Sequence, residues 1–194
     1  EELKKRWDLP RWRYVNSGSE ATMDAIRIAR AKTGRETIVK IFGSYHGHHD
    51  ALMISAFRSA AQLGPVDEPF RVPGSGVPQE MADLVRIVPF NDLAALQRTL
   101  EAHPGQIAGM IVEPIMMNIG MIAPPDGYLQ GLADLLHEEG AYLAFDEVKT
   151  GFTIAAGGAT EWSGVTPDIV ALAKSVRKER MVENLAIFDF QLDD

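Results

Sequence analysis

Cysteine is absent from these 194 residues, which removes disulfides, thiolate zinc sites, cysteine-ligated iron–sulfur clusters and cysteine nucleophiles together. A reducing, cytoplasmic setting accords with that. No apolar run approaches the roughly 20 residues that a membrane span needs. The opening EELKKRWDLPRW has no uninterrupted apolar core of the signal-peptide kind. Positive charge is also scarce, since 19 Lys and Arg face 27 Asp and Glu for a formal net charge of -8. Nucleic acid and anionic membrane surfaces would repel such a chain, so no nucleic acid, no membrane and a small-molecule partner are expected.

Apolar residues make up 46% of the chain, enough for one substantial core, and they fall into runs that alternate with helical patterns. RYVN (13–16) is expected as a short strand. A helix should follow with Ala25, Ile26, Ile28 and Ala29 as its apolar face, Ser19 as its cap and Gly34 as its stop. TIVKIF (37–42), LVRIVPF (84–90), QIAGMIVEP (106–114) and AYLAFDEV (141–148) read as further strands, the last closing the series. Asn91 is expected to cap a helix with Leu93, Leu96 and Leu100 at helical spacing. GYLQGLADLLHEEG should form another, with Leu129, Leu132, Leu135 and Leu136 inward. Strands separated by helices of this length predict an α/β fold, a mostly parallel sheet with helices on both faces. The stretch 56–78 has four prolines, three glycines and no clear periodicity, and is expected as a long surface excursion.

Ligand sites in such sheets gather at the carboxyl ends of the strands, which predicts that Ser17–Ser19, the Tyr45–Asp50 turn, Glu113–Asn118 and Asp146 converge. The turn, YHGHHD, holds three of the five histidines. Its order does not match a metallo-hydrolase loop, and adjacent His48 and His49 would point apart on any regular backbone, so no metal is expected. NSGSEA (16–21) offers hydroxyls and amides at a helix start, which suits either a phosphate or an ordinary cap. Asp146 ends a buried strand, as an acid that pairs with a cation or as part of a hydrogen-bonded turn. Glu113 is either part of the site or a solvated residue where the strand leaves the sheet. Lys174 follows the apolar run PDIVALA, where desolvation would make its amine a nucleophile, although most lysines are solvated charges.

Taken in order, VNSGSEATMDAIRIARAKTGRETIVKIFGSYHGHHDA, VEPIMMNIGMIAPPDGYLQGL, LAFDEVKTGF and GVTPDIVALAKS resemble the large domain of the class III aminotransferases. These are fold type I, pyridoxal 5'-phosphate-dependent enzymes, and the resemblance is greatest to the glutamate-1-semialdehyde 2,1-aminomutase type. It spans about residues 12–176 and includes the spacing between motifs. It implies that Ser17, Gly18 and Ser19 hold the cofactor phosphate, that Tyr45 stacks on the pyridine and that Asn118 reaches the ring hydroxyl. It further implies that Asp146 pairs with the pyridine nitrogen, that Val148 packs beside the ring and that Lys174 forms the internal aldimine. His46 would support the wall made by Tyr45 and Gly47 would make the turn, while His48 and His49 receive no role.

The activity so implied is amino-group transfer on a small amino acid or amine, by a homodimer in the intact family enzyme. The alternatives are a class III transaminase acting on beta- or omega-amino compounds and an inactive cofactor- or partner-binding remnant. After Lys174 the family's glycine-rich continuation gives way to SVRKERMVENLAIFDFQLDD. The expected organisation is therefore a partial, incomplete large domain over 1–176 and a divergent charged tail over 177–194, in a fragment or the product of a truncated or misassembled gene.

Overall fold

The computed structural model describes residues 2–65 and 68–173. Within them β1 (Thr37–Ile41), β2 (Val85–Val88), β3 (Ile107–Val112), β4 (Tyr142–Glu147) and β5 (Ile169–Leu172) form one sheet. Its order is β2-β1-β3-β4-β5, with every neighbouring pair parallel. The central strands β1 and β3 are buried at every residue, the signature of a parallel sheet covered on both faces. The helices are α1 (Glu2–Trp7), α2 (Gly18–Thr33), α3 (Ala60–Leu63), α4 (Gln79–Asp83), α5 (Leu93–Ala102), α6 (Tyr128–Glu138) and α7 (Gly158–Ser163).

Strand alternation sorts the core into two layers. On one face Ala25, Ile26 and Ala29 of α2 pack against Ile38, Ala108, Ile111 and Ala144. On the other, Leu96 and Leu100 of α5 and Leu132 and Leu136 of α6 pack against Val39, Ile41, Met110, Val112, Leu143 and Phe145. Each fully buried leucine there contributes about 1.5–3 kcal/mol over an exposed one. The chain leaves β1 for the outer strand β2 and then returns to β3 on β1's other side. The loops after β1 and β3 therefore diverge, which opens a crevice at the carboxyl edge of the sheet.

Several local expectations are corrected. RYVN forms no strand. The cap of α2 is Ser17 rather than Ser19: Ser17 is extended and its Oγ accepts from the Glu20 N–H at 3.2 Å. Gly34 ends the helix as expected, in the left-handed region, its N–H donating to Arg30 O. Ile28 is exposed, because it falls outside the arc that Ala25, Ile26 and Ala29 present to the sheet. Asp92 caps α5 through its side chain, whereas Asn91 has a φ of 64° and turns the chain into the helix. Leu135 is only half-buried. β4 does not close the series, since Ile169–Leu172 adds β5 beside it. The described residues of the stretch 56–78 form one short helix, α3, and otherwise no helix or strand.

Candidate cofactor site

The four groups expected at the crevice do meet there. Asp146 is two residues beyond Ala144, so it faces the α2 side of the sheet, and it is 7% exposed. Its Oδ2 lies 2.8 Å from Nδ1 of His46, which is itself buried, and its Oδ1 accepts from the Val148 N–H at 3.1 Å. With the carboxylate as acceptor, Nδ1 of His46 carries the proton. A residue of the turn after β1 thus reaches an acid one hundred positions later.

Two close approaches bring the remaining segments together. A Cβ on Gly18 would lie 2.9 Å from Val148 Cγ2, so the start of α2 abuts Val148 directly. Gly47 has a φ of 97°, and a Cβ there would meet Ser19 Oγ at 2.6 Å. Glycine is needed at 47 on both counts. Ser19 Oγ also accepts from the His48 N–H at 3.3 Å and pairs with His48 Nδ1 at 3.1 Å. The N–H groups of a first helical turn have no partner within the helix, and here they open beside Val148 and Gly47.

Tyr45 stacks on Phe57, ring centroids 4.6 Å apart at 35°. Asn118 donates through Nδ2 to Tyr45 O at 3.3 Å and accepts through Oδ1 from Lys149 Nζ at 2.7 Å. Glu113 is buried rather than solvated, its Oε2 accepting from the Met117 N–H at 3.1 Å. Lys174 lies outside the described residues. Among the described residues no group of three or more His, Asp or Glu is arranged to hold a metal ion, and no helix is long and apolar enough to cross a membrane.

His46, expected from the sequence only to support a wall made by Tyr45, pairs with Asp146, and His48, given no role from the sequence, braces Ser19. Phe57 was missed as well, although an aromatic residue in a Pro- and Gly-rich excursion was a visible signal. His49 is the histidine left without a site contact: its Nε2 is buried and unpartnered. Burial, and next to it His46, lowers its imidazole to about 4, with Asp50 pulling the other way.

Comparison with known proteins decides the ancestry of this crevice, for residues 2–181 match the family Aminotransferase class-III. The chain belongs to that family. The glutamate-1-semialdehyde 2,1-aminomutase of Acidobacterium capsulatum is 48% identical over 169 residues, covering 87% of this chain and 38% of that protein. The crystal structure of an omega-transaminase from Sphaerobacter thermophilus superposes with a TM-score of 0.82 at 36% identity, covering 88% of this chain and 39% of that one. A glutamate-1-semialdehyde aminomutase from Pseudomonas aeruginosa PAO1 gives 0.76 at 28% identity, covering all of this chain and 43% of that one. This chain thus spans under half the length of the proteins it matches. Its sheet and flanking helices have the fold type I architecture of the family, for which pyridoxal phosphate is the typical cofactor.

Proposed function

We propose that this class III chain binds pyridoxal phosphate in the crevice at the carboxyl edge of its sheet and supports amino-group transfer most like that of glutamate-1-semialdehyde 2,1-aminomutase. The observation that carries the reading is the buried Asp146, held by His46 beside the start of α2. The donor set fits the group. A carboxylate stands ready for a protonated ring nitrogen, hydroxyls and amides of a helix start suit a dianionic phosphate, and an aromatic ring and a valine suit the two faces of a pyridine.

When bound, the cofactor serves as an electron sink for charge developing at the substrate carbon. Asp146 would hold a proton on the ring nitrogen, and His46 would keep its carboxylate oriented for that bond. Ser17, Gly18 and Ser19 would bind the phosphate, Tyr45 and Val148 would fix the plane of the ring, and Asn118 would reach the ring hydroxyl. Lys174 would anchor the cofactor covalently and, once displaced by the substrate amine, move a proton between the substrate carbon and the cofactor carbon. The domain reading goes with this: residues 1–176 as the partial large domain, 177–194 as a tail. A small amino acid or amine as substrate, a second copy of the chain as partner and a cytoplasmic setting belong to the same proposal.

A second reading, a transaminase of beta- or omega-amino compounds, is supported by the TM-score of 0.82 to the omega-transaminase. The 48% identity to the aminomutase supports the first.

The test is to mix the 194-residue chain with pyridoxal phosphate, reduce with borohydride and map the peptides. Label on Lys174, with conversion of glutamate 1-semialdehyde, is the expected result. Label elsewhere, or none, would refute cofactor anchoring, and label without amino transfer from any donor would identify an inactive binding remnant.

A further inference from the structure

Lys40 has no part in the chemistry above, yet it is completely enclosed. It lies on β1, two residues after Ile38 and so on the α2 face of the sheet. Burial lowers its ammonium to about 7, with Glu113 acting in the opposite sense. Its Nζ donates to three carbonyls: Ser44 O at 2.9 Å, Leu52 O at 3.1 Å and Ile54 O at 2.9 Å. An ammonium has three N–H bonds and no acceptor, whereas a neutral amine has two N–H bonds and a lone pair. Three carbonyl partners therefore select the charged form, because the neutral form would turn a lone pair towards one of them.

All three acceptors belong to the segment that leaves β1 and returns to the sheet's edge. Its ends are fixed: Ser44 donates twice to Ile41 O, through N–H at 3.1 Å and Oγ at 2.7 Å, and the Ser55 N–H donates to Val72 O at 2.7 Å. Between the first and second acceptors lie Tyr45, His46 and Gly47. The regular structure in this segment is the three-residue helical turn Asp50–Leu52. Within the segment the Leu52 N–H donates to His49 O at 3.0 Å, and Thr22 Oγ1 of α2 donates to His46 O at 2.6 Å. Among the described residues, Lys40 is the one side chain that joins its start, at Ser44, to its end, at Leu52 and Ile54.

We infer that Lys40 is a positioning residue, whose buried ammonium gathers the Ser44, Leu52 and Ile54 carbonyls and so sets the turn that offers Tyr45 and His46 to the pocket. The word pocket rests on the function proposed above; the clasp itself does not. Removing the ammonium while keeping the volume, as in Lys40→Met, releases three carbonyls at once and leaves the β1 ladder intact.

Amide hydrogen exchange of the cofactor-free 194-residue chain reads the clasp. Lys40→Met is expected to speed exchange over 42–56 by about tenfold or more, as loss of a local restraint does, while β3, β4, α5 and α6 keep their protection. Unchanged exchange over 42–56 would overturn the clasp. If the variant loses protection everywhere, the wild-type chain decides. Nitrogen-15 lysine spectra below neutral pH should then give Lys40 a slowly exchanging ammonium signal correlated with the three carbonyls, and an amine shift or a freely exchanging signal would overturn it.

The positioning role is read from bound pyridoxal phosphate. In Lys40→Met its affinity is expected to fall about tenfold and its induced circular dichroism band to weaken. Equal affinity with an unchanged band would overturn positioning and leave the pocket standing. Failure of the wild-type chain to bind the cofactor would overturn the pocket reading, and positioning with it, while the clasp would stand on the exchange data.

Discussion

Asp146 has both carboxylate oxygens occupied from within the chain, Oδ2 by His46 and Oδ1 by the Val148 N–H, so its orientation is fixed before any ligand arrives. A hydrogen bond to a charged group is worth about 1.5–3 kcal/mol. His46→Phe is expected to lose that much stability in urea titration; an unchanged midpoint would show that the pair adds nothing. His49, three residues on, gives a pH prediction. Its folded value is lowered to about 4, below the 6.5 of a free imidazole, so the unfolded chain takes up this proton first. The contribution is fully present above pH 6.5, declines as pH falls towards 4 and is constant below that. Melting temperatures of wild type and His49→Gln should therefore converge or cross only within that window, and a difference that is flat from neutral pH to 4 would refute it. Neither histidine's behaviour was legible in YHGHHD, because the partner or the lack of one is set by residues a strand or a loop away.

At the scale of elements, Glu147 joins β4 to two helices. It is fully buried, and its oxygens accept from Trp7 Nε1 at 2.8 Å, the Ala159 N–H at 2.5 Å and Thr160 Oγ1 at 3.0 Å. Gly158, with a φ of 61°, passes so close that a Cβ there would overlap Glu147 Oε2. Trp7 also meets Phe152 edge to face at 4.9 Å, so α1 is secured by tertiary contacts rather than by its own six residues. Glu147→Gln would turn an amide N–H₂ towards donors and is expected to cost about 1–3 kcal/mol. Limited proteolysis should then cut first between α1 and α2; cleavage unchanged from wild type would sink the idea. This explains what the sequence withheld. β1, β2, β3 and β4 were legible as apolar runs, and α2, α5 and α6 as apolar stripes. α1 has no periodicity to read, and β5 was taken only as the run before Lys174. The caps went to the wrong residue nearby, Ser19 for Ser17 and Asn91 for Asp92, because backbone angles choose between residues of similar capping ability one or two positions apart. The carboxyl ends of the strands predicted that Ser17–Ser19, the Tyr45 turn, Asn118 and Asp146 come together, and among the described residues these segments are neighbours, but Lys40, an ordinary strand lysine in TIVKI, gave no sign of being enclosed.

At the scale of the whole molecule, part of the exposed apolar surface lies beside the turn after β1. Phe57 is 67% exposed and Met121 71%, while Ile119 and Ile122 are each 42% exposed. Phe57 stacks on Tyr45, and Ile119 Cγ2 comes within 3.8 Å of where a Cβ on Gly43 would stand. Phe57 and Ile119 therefore border the turn that carries the candidate cofactor contacts, and Met121 and Ile122 lie two and three residues beyond Ile119 in the chain. Exposed apolar side chains of this kind are costly in water and favour association, whereas the formal charge of -8 opposes it at long range. The two terms differ in salt dependence, since screening weakens repulsion and leaves burial intact. The chain is expected to associate with itself as concentration rises, and more tightly at higher ionic strength, in sedimentation velocity. Met121→Lys places a charge on this surface and should shift the population towards monomer while leaving the melting temperature unchanged, because Met121 packs little in the single chain. A monomer at every concentration, or a Met121→Lys variant that associates as wild type does, would remove this face as the meeting surface and leave the exposed side chains to be explained by a different partner.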